Sequence, residues 1–387
     1  MMQRMTAAVA ACCFLLLSSC EKPVGEPLSV EFRKASVSSK AGQVFVSVKC
    51  SGTWTLSLTS DAGAVDWATL SKTSGTGDMN NVIMTYQANA GETNRTLKVV
   101  LDNGTEWVGA VLTQTCPAED KSKSGWMELP AMDNDALDYY SHSFSMNGKT
   151  YRNYTFGWSQ KDYTAVWVAY PLCEMYTNGD VGRSEDWNFD PLLGALWSPA
   201  PFSGYAGSYD RGHQIPSADR QCCYEANEQT YYGTNIVPQI KGHNTEIWAN
   251  LENKVRTIAN KSDTTYVVTG VMIADPNGYT TDSTKDKYDN IRPTSQLKTL
   301  PVPSHFFKAI LRYNKSSTLG QWNAIAFYLE HKDYGKNAEV GKQHSMSIDE
   351  LEEITGIDFF VNLPAKIGEG AAAQLEASDP AESLMWW

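Results

Sequence analysis

Asp210-Arg-Gly-His-Gln-Ile-Pro216 is followed, 22 residues after His213, by Asn235-Ile-Val-Pro-Gln239, and then by Asn244, Trp248, Leu251-Glu252 and Arg256. An imidazole such as that of His213 is neutral near pH 7 and can take a proton from water, the commonest general-base role. The Asn244 carboxamide offers a neutral oxygen suited to a hard cation. Mg²⁺ prefers octahedral oxygen coordination and gives up water reluctantly, so one or two protein ligands suffice for it. Arg211 and Arg256 supply charge-assisted donors for a phosphate. On a helix, Asn244, Trp248, Glu252 and Arg256 fall at successive steps of four, near one another on its surface. At 1.5 Å per residue Asn244 and Glu252 are about 12 Å apart along the axis, too far for two short side chains to share an ion. Glu252 is therefore expected to hold water around the ion rather than the ion itself. This set suits hydrolysis of a phosphodiester: His213 deprotonates the attacking water, the Asn244-bound ion stabilises developing charge, and the arginines clamp the phosphate.

In order and spacing, Asp-Arg-Gly-His-Gln-x-Pro, Asn-Ile-x-Pro-Gln and Asn…Trp-x-x-Leu-Glu resemble the DNA/RNA non-specific endonucleases, which include the secreted Serratia nuclease and mitochondrial endonuclease G. The likeness continues through Trp167-Val-Ala-Tyr170, Val267-Val-Thr-Gly270, Pro303-Ser304 and Thr355-Gly-Ile-Asp-Phe359, so it spans roughly residues 130–365. The resemblance implies an α+β domain with a ββα-metal (His-Me finger) core. It implies His213 as general base, Asn244 as the single protein ligand of Mg²⁺ with Mn²⁺ as its substitute, and Glu252 as the residue holding a metal-bound water. Asn235 and Arg211 then support the site, and Arg256 and Arg183 contact substrate phosphate. Arg183, in Arg183-Ser-Glu-Asp-Trp187, stands a residue or two farther from its Trp than the family pattern. DNA and RNA are the implied substrates, read through phosphate contacts that carry no sequence information. Because His213 must be neutral to act, cleavage is expected to decline below about pH 6–6.5. His142, His243, His305, His331 and His344 read as structural, with His243 pointing away from the metal. Asp210 reads as a carboxylate that orients its loop or pairs with Arg211, and Trp248 as core. Asn235 and Gln239 also suit plain backbone satisfaction in a turn.

Composition narrows the rest. Of 387 residues, 42% are hydrophobic and 20% charged, which excludes wholesale disorder, and the formal charge is -12. Affinity for a phosphate backbone comes from Lys and Arg displacing counterions, so a nucleic-acid function must rest on a local site. Arg4 precedes an apolar run, Ala7 to Leu17, too short to span a bilayer but right for a signal peptide. The run ends in Leu17-Ser-Ser-Cys20, which resembles the bacterial lipobox, with Cys20 as the lipidated first residue. A cell-envelope, outer-membrane lipoprotein is expected, touching the membrane only through its anchor. Cys12 and Cys13 leave with the signal peptide. Export permits disulfides, with Cys50–Cys116 and Cys173 with Cys222 or Cys223 as candidate pairs. The absence of CxxC and HxxxH spacings counts against structural zinc.

Short alternating runs at 43–49, 54–58, 81–86, 96–100 and 106–112 predict an all-β, immunoglobulin-like sandwich. Its Asp66-Trp67, Ser74-Gly75 turn, Arg95 and final strand to Gln114 resemble the BACON-type modules of exported Bacteroidota proteins, which implies a spacer or a glycan-contacting unit. Buried strands are predicted at 163–170, 265–270, 305–311 and 322–328, a helix over 246–260, and a capping box at Ser347/Glu350. The expected order is signal peptide 1–19, linker 20–27, sandwich 28–116, linker 117–126, nuclease domain 127–367 and tail 368–387. A surface glycan-binding lipoprotein with a degenerate nuclease domain is the alternative; intact His213, Asn244 and Glu252 argue against it.

Overall fold

Alternation decides the amino-terminal unit. In Gly42–Lys49 the buried Val44, Val46 and Val48 recur at every second position, the period of a strand with one face on a core. The computed structural model describes residues 28–386 except 40, 62, 118–124, 135, 196 and 384. The expected signal peptide, Cys20 and most of the second linker lie outside these. Strands Ser29–Phe32, Gly42–Lys49, Met79–Tyr86 and Ala68–Leu70 form one sheet; Ser36–Val37, Trp107–Gln114, Arg95–Asp102, Thr53–Thr59 and Ser74–Thr76 form the other. Both sheets contribute to one buried cluster that includes Val46, Trp54, Met84 and Val99. Ser74-Gly75, expected as a turn, is instead a strand paired with Thr53–Thr55. A Cβ on Gly75 would overlap the Trp54 ring, so the bare backbone lets that ring bury itself. Arg95 stacks on Trp67 at 4.0 Å and donates to Gln114 Oε1 at 2.9 Å, joining three of the residues that carry the module-like pattern.

The larger unit is built on a seven-stranded antiparallel sheet, in the order Asp138–Met146, Lys149–Ser159, Thr164–Leu172, Thr264–Met272, His305–Tyr313, Trp322–Glu330, Ser345–Met346. Its strands read as continuous apolar runs because both faces are covered. Along His305–Tyr313, Phe306 and Ile310 join the cluster on one face, and Phe307, Ala309 and Leu311 the cluster on the other. Helices Ile348–Thr355, Leu363–Ile367 and Glu369–Glu376 cover that second face. The capping box is present: Ser347 Oγ accepts from Glu350 N at 3.1 Å and Ser347 N donates to Glu350 Oε2 at 2.8 Å. The segment after 367, expected to be a tail, buries Ala372 and Trp386 against the sheet. The first hairpin turns at Asn147-Gly148, both with positive φ (53° and 73°), the two-residue chemistry that favours this turn.

On the first face lie a two-stranded ribbon, Tyr209–His213 with Ile236–Ile240, and the helical segment 243–259. All five described cysteines are free, which overturns the expected disulfides. Cys50 Sγ is turned to the Gly52 carbonyl at 3.5 Å, and burial beside Cys223 pushes the Cys222 thiol up to about 11. Neighbouring Arg220 is wholly buried. It donates to Asn153 Oδ1 (2.5 Å), Asn153 O (2.7 Å), Pro171 O (3.0 Å) and Asp219 O (2.7 Å), and its guanidinium lies over Tyr170 and Tyr176. It thus binds the sheet to the segment that follows the ribbon's first strand. Replacing Arg220 with Met orphans these acceptors and is expected to remove about 3 kcal/mol or more of stability. Urea unfolding checks this, and a loss under about 1 kcal/mol would show the network to be dispensable.

Candidate active site

Antiparallel pairing sets His213 opposite Ile236 and Asp210 opposite Gln239. Gly212 is demanded by this pairing, since a Cβ there would run into the Gln239 side chain. Buried Asn235 fastens the far side: its Oδ1 accepts from Ile215 N (3.0 Å) and its Nδ2 donates to Ile215 O (3.0 Å) and Thr230 O (2.8 Å). Asn235 therefore acts on the backbone just past His213 and does not line the cleft.

Segment 243–259 begins earlier than periodicity predicts, and its first part, His243–Trp248, is a π-helix leading into the α-helix Ala249–Ala259. In a π-turn the hydrogen bonds run from i to i+5, so side chains five apart, not four, share a side. Asn244, Thr245, Ala249 and Glu252 consequently line the cleft, while Trp248 is buried against Phe306. Steps of four would have put Trp248 beside Asn244. The wider turn puts small Ala249 there instead.

The cleft, about 330 Å³, is walled by Arg183, Arg211, His213, Ser217, Asn244 and Glu252 among others. His213 is half-buried, with its ring 5.5 Å from Trp187 and 5.0 Å, edge-on, from Tyr231. The Arg211 backbone carbonyl accepts from the ring, and Nε2 is shut off from solvent with no hydrogen-bond partner among the described residues. Burial, then the charges of Arg183 and Arg211, lower the His213 pKa from 6.5 to about 3. In the substrate-free protein this imidazole is thus neutral well below pH 6–6.5.

Asp210 pairs with Asn244, not with Arg211: Asn244 Nδ2 donates to Asp210 Oδ2 at 3.1 Å. The carboxamide is thereby oriented, and its Oδ1 accepts no hydrogen bond among the described residues. One free amide oxygen in a cleft, with Glu252 beyond it, suits a hydrated hard cation. No cluster of three His, Cys, Asp or Glu side chains that could hold a metal occurs among the described residues. Glu252 itself is pushed well above the usual carboxylate range, chiefly by burial, while the Lys308 ammonium opposes the shift. Lys308 is wholly buried on the sheet beneath the helix, 4.6 Å from the Trp248 ring centroid and donating to Thr269 Oγ1 at 3.0 Å. Sequence reading missed it, as it did Trp187 and Tyr231 beside the imidazole; only the lone Lys inside the apolar run 305–311 was a visible signal.

The arginines separate. Arg211 stacks on Trp187 at 3.8 Å and spends Nη1 on the Phe202 carbonyl at 2.8 Å. Arg183 is largely exposed at the cleft, 3.6 Å from Glu185, whose φ of 51° folds the loop so that Trp187 returns to His213. Arg256 lies outside the cleft wall, held by Asp219 at 2.8 Å and Asn253 at 2.7 Å. His243 is buried against Trp248, Phe306 and His331, and its Nδ1 meets Gln239 at 2.7 Å. His142 meets Asp190 at 2.9 Å, and His331 accepts from Ile240 N at 2.7 Å, where it pins the ribbon's end.

Against this geometry, a family model described as DNA/RNA non-specific endonuclease matches residues 133–366. A nuclease from Nostoc is 31% identical over 216 residues, covering 55% of this chain and 73% of that protein. The mitochondrial nuclease 1 of Schizosaccharomyces pombe is 29% identical, over 43% of this chain and 50% of its own. The mitochondrial nuclease EXOG of Xenopus laevis is 27% identical, over 63% and 67%. The amino-terminal sandwich lies outside the family match.

Depression of the His213 pKa has a direct readout in the metal-free protein. In a histidine-labelled NMR titration, the His213 imidazole is expected to stay neutral down to about pH 4, since its folded value is about 3. A midpoint near 6.5 would mean that water reaches Nε2 freely.

Proposed function

The chain belongs to the DNA/RNA non-specific endonuclease family and is a nucleic-acid-hydrolysing enzyme; from that premise we propose that it is an exported, lipid-anchored, Mg²⁺-dependent enzyme that cuts both DNA and RNA to 5′-phosphorylated fragments. The observation that carries the reading is that His213, whose buried Nε2 has no hydrogen-bond partner among the described residues, lines the same cleft as Asn244, whose Nδ2 is tied to Asp210.

His213 takes a proton from water on Nε2 as that water attacks phosphorus, while the carbonyl of Arg211 holds the other side of the ring and steadies the imidazolium that forms. Arg183 and Arg211, which face His213, donate to the phosphate. Their charges also make His213 a weak base in the empty cleft. A phosphate between them offsets that field, so basicity rises as substrate binds. The ion, held by Asn244 Oδ1 with Glu252 ordering its hydration, would supply Lewis-acid stabilisation of the charge that develops on the non-bridging oxygens and the departing oxygen. Contacts of this kind read phosphate and not bases, which supports cleavage without sequence preference. Export and lipidation rest on Arg4, the run to Leu17 and Cys20 in the sequence. No helix among the described residues is long and apolar enough to cross a membrane.

Incubating the purified chain with plasmid DNA and with ribosomal RNA, with and without EDTA, tests the reading. Cleavage of both is expected with Mg²⁺ or Mn²⁺ and none with chelator, His213→Ala losing about 10²–10⁴-fold. No cleavage at any level of either ion would overturn it. Asp210→Ala, which frees the Asn244 amide to rotate, is expected to weaken Mg²⁺ binding by about 10–100-fold in calorimetric titration. Undiminished affinity would show that Asn244 needs no such orientation.

A further inference from the structure

A second cavity, of about 530 Å³, lies where the sandwich meets the larger unit. From the sandwich come Glu31, Lys49 and Asn80, all outside the family match; from the larger unit come Tyr163, Phe189, Trp197 and the segment ending at Lys298. The two sides are fixed against each other. Asp138, first residue of the edge strand Asp138–Met146, takes both Arg33 (2.8 Å) and Lys34 (2.5 Å), and Tyr140 donates to the Arg33 carbonyl at 3.3 Å.

Three aromatic side chains wall this cavity. Tyr163 sits there on a backbone at φ 49°, a conformation rare for a bulky residue. Phe189 packs edge-on against Phe202 at 5.3 Å, and Trp197 keeps its indole Nε1 buried with no hydrogen-bond partner. Among the cations, Lys49 is held by Asp78 at 2.7 Å and Arg292 by Asp282 at 3.1 Å. Lys298 differs: its Nζ lies 5.0 Å from the Tyr163 ring centroid, and no carboxylate among the described residues comes within ion-pair distance. Aromatic faces beside an uncommitted ammonium are what an unpaired base and its phosphate require. With Lys49 and Arg292 each paired to a carboxylate, Lys298 is the lining cation left to meet an anionic ligand rather than a neutral sugar.

One stretch of chain joins the cavity to the cleft. Arg183 stands in the cleft wall and Trp187 against the catalytic imidazole; Phe189 and Trp197, further along, stand in the cavity, and Phe202 beyond them supports both Phe189 and Arg211. We propose that the cavity is a second nucleic-acid subsite, taking an unstacked nucleotide of the same single strand whose phosphodiester lies in the cleft, with the base among Tyr163, Phe189 and Trp197 and its phosphate on Lys298. This rests on the nuclease reading above. It makes the sandwich a part of substrate binding, and it favours single strands, since a paired base must first be unstacked to enter.

The test uses the intact chain and three measurements. Anisotropy of a fluorescein-labelled 20-nucleotide single strand in EDTA reports binding without cleavage. Steady-state cleavage of that strand and of bis(p-nitrophenyl) phosphate, both with Mg²⁺, separates strand binding from cleft chemistry. Lys298→Gln, and Asn80→Trp to fill the cavity from the sandwich side, are each expected to weaken strand binding and raise the strand's KM by about fivefold or more. Strand kcat and small-diester hydrolysis are expected to stay within twofold of the unaltered chain. Unchanged strand KM and affinity in both variants, with melting temperatures preserved, would overturn the proposal. So would quenching of tryptophan fluorescence by a neutral oligosaccharide that the strand fails to displace. If the unaltered chain cleaves neither substrate, the nuclease reading fails, and the anisotropy comparison still judges the subsite.

Discussion

A hydrogen bond between the Asp210 carboxylate and the Asn244 carboxamide ties the strand that ends in His213 to the helical segment that carries Asn244 and Glu252. Everything in the cleft is arranged about that link. It takes one of the two N–H groups of the carboxamide, so the orientation of the group is set by the fold. The ribbon that bears Asp210 is in turn held by Asn235 on one side and by His331 on the other, both through backbone atoms. The residues nearest the chemistry are thus few. Those that fix them are buried and polar, and each has a stated partner.

Electrostatics in this cleft oppose the resting enzyme and favour the loaded one. Burial disfavours protonation of the His213 imidazole, and the two arginines beside it add to the effect. On the proposed reading, a phosphate between the arginines offsets part of that field, so the groups that hold it also raise the basicity of His213. Beneath the helix, Glu252 and Lys308 form a second buried pair of opposite charge, each shifted toward neutrality by burial and held back by the other. Such pairs contribute little to stability against an apolar substitute, but losing one member leaves a buried charge without compensation. Placing Lys308 on the strand His305–Tyr313 and Glu252 on the helix makes the charge state of Glu252 depend on the packing of helix against sheet.

The sandwich has the same dependence on a fixed contact. Its attachment to the edge of the seven-stranded sheet includes a hydrogen bond from Tyr140 and one carboxylate shared by two cations, ion pairs of modest strength at a partly exposed surface. It is enough to form an aromatic cavity that neither unit possesses alone.

Local chemistry made much of this legible from the residues. Strand alternation at 43–49 and 96–100 and the capping box at Ser347 depend on groups a few residues apart, and the order of His213, Asn244 and Glu252 is a fixed spacing; a sequence displays both directly. The Asn147-Gly148 hairpin rests on chemistry just as local, two adjacent residues suited to positive φ. What only the tertiary structure decided has a longer range. The π-turn that sets Ala249 in place of Trp248, the burial that takes His213 far below its ordinary pKa, the free cysteines and the position of Lys308 each sum contacts between segments distant in the chain. A period of 3.6 or 2 specifies which face of an element is apolar; which atoms meet that face, and how much water they exclude, is set by elements tens of residues away, and that exclusion governs the charge states on which the chemistry rests.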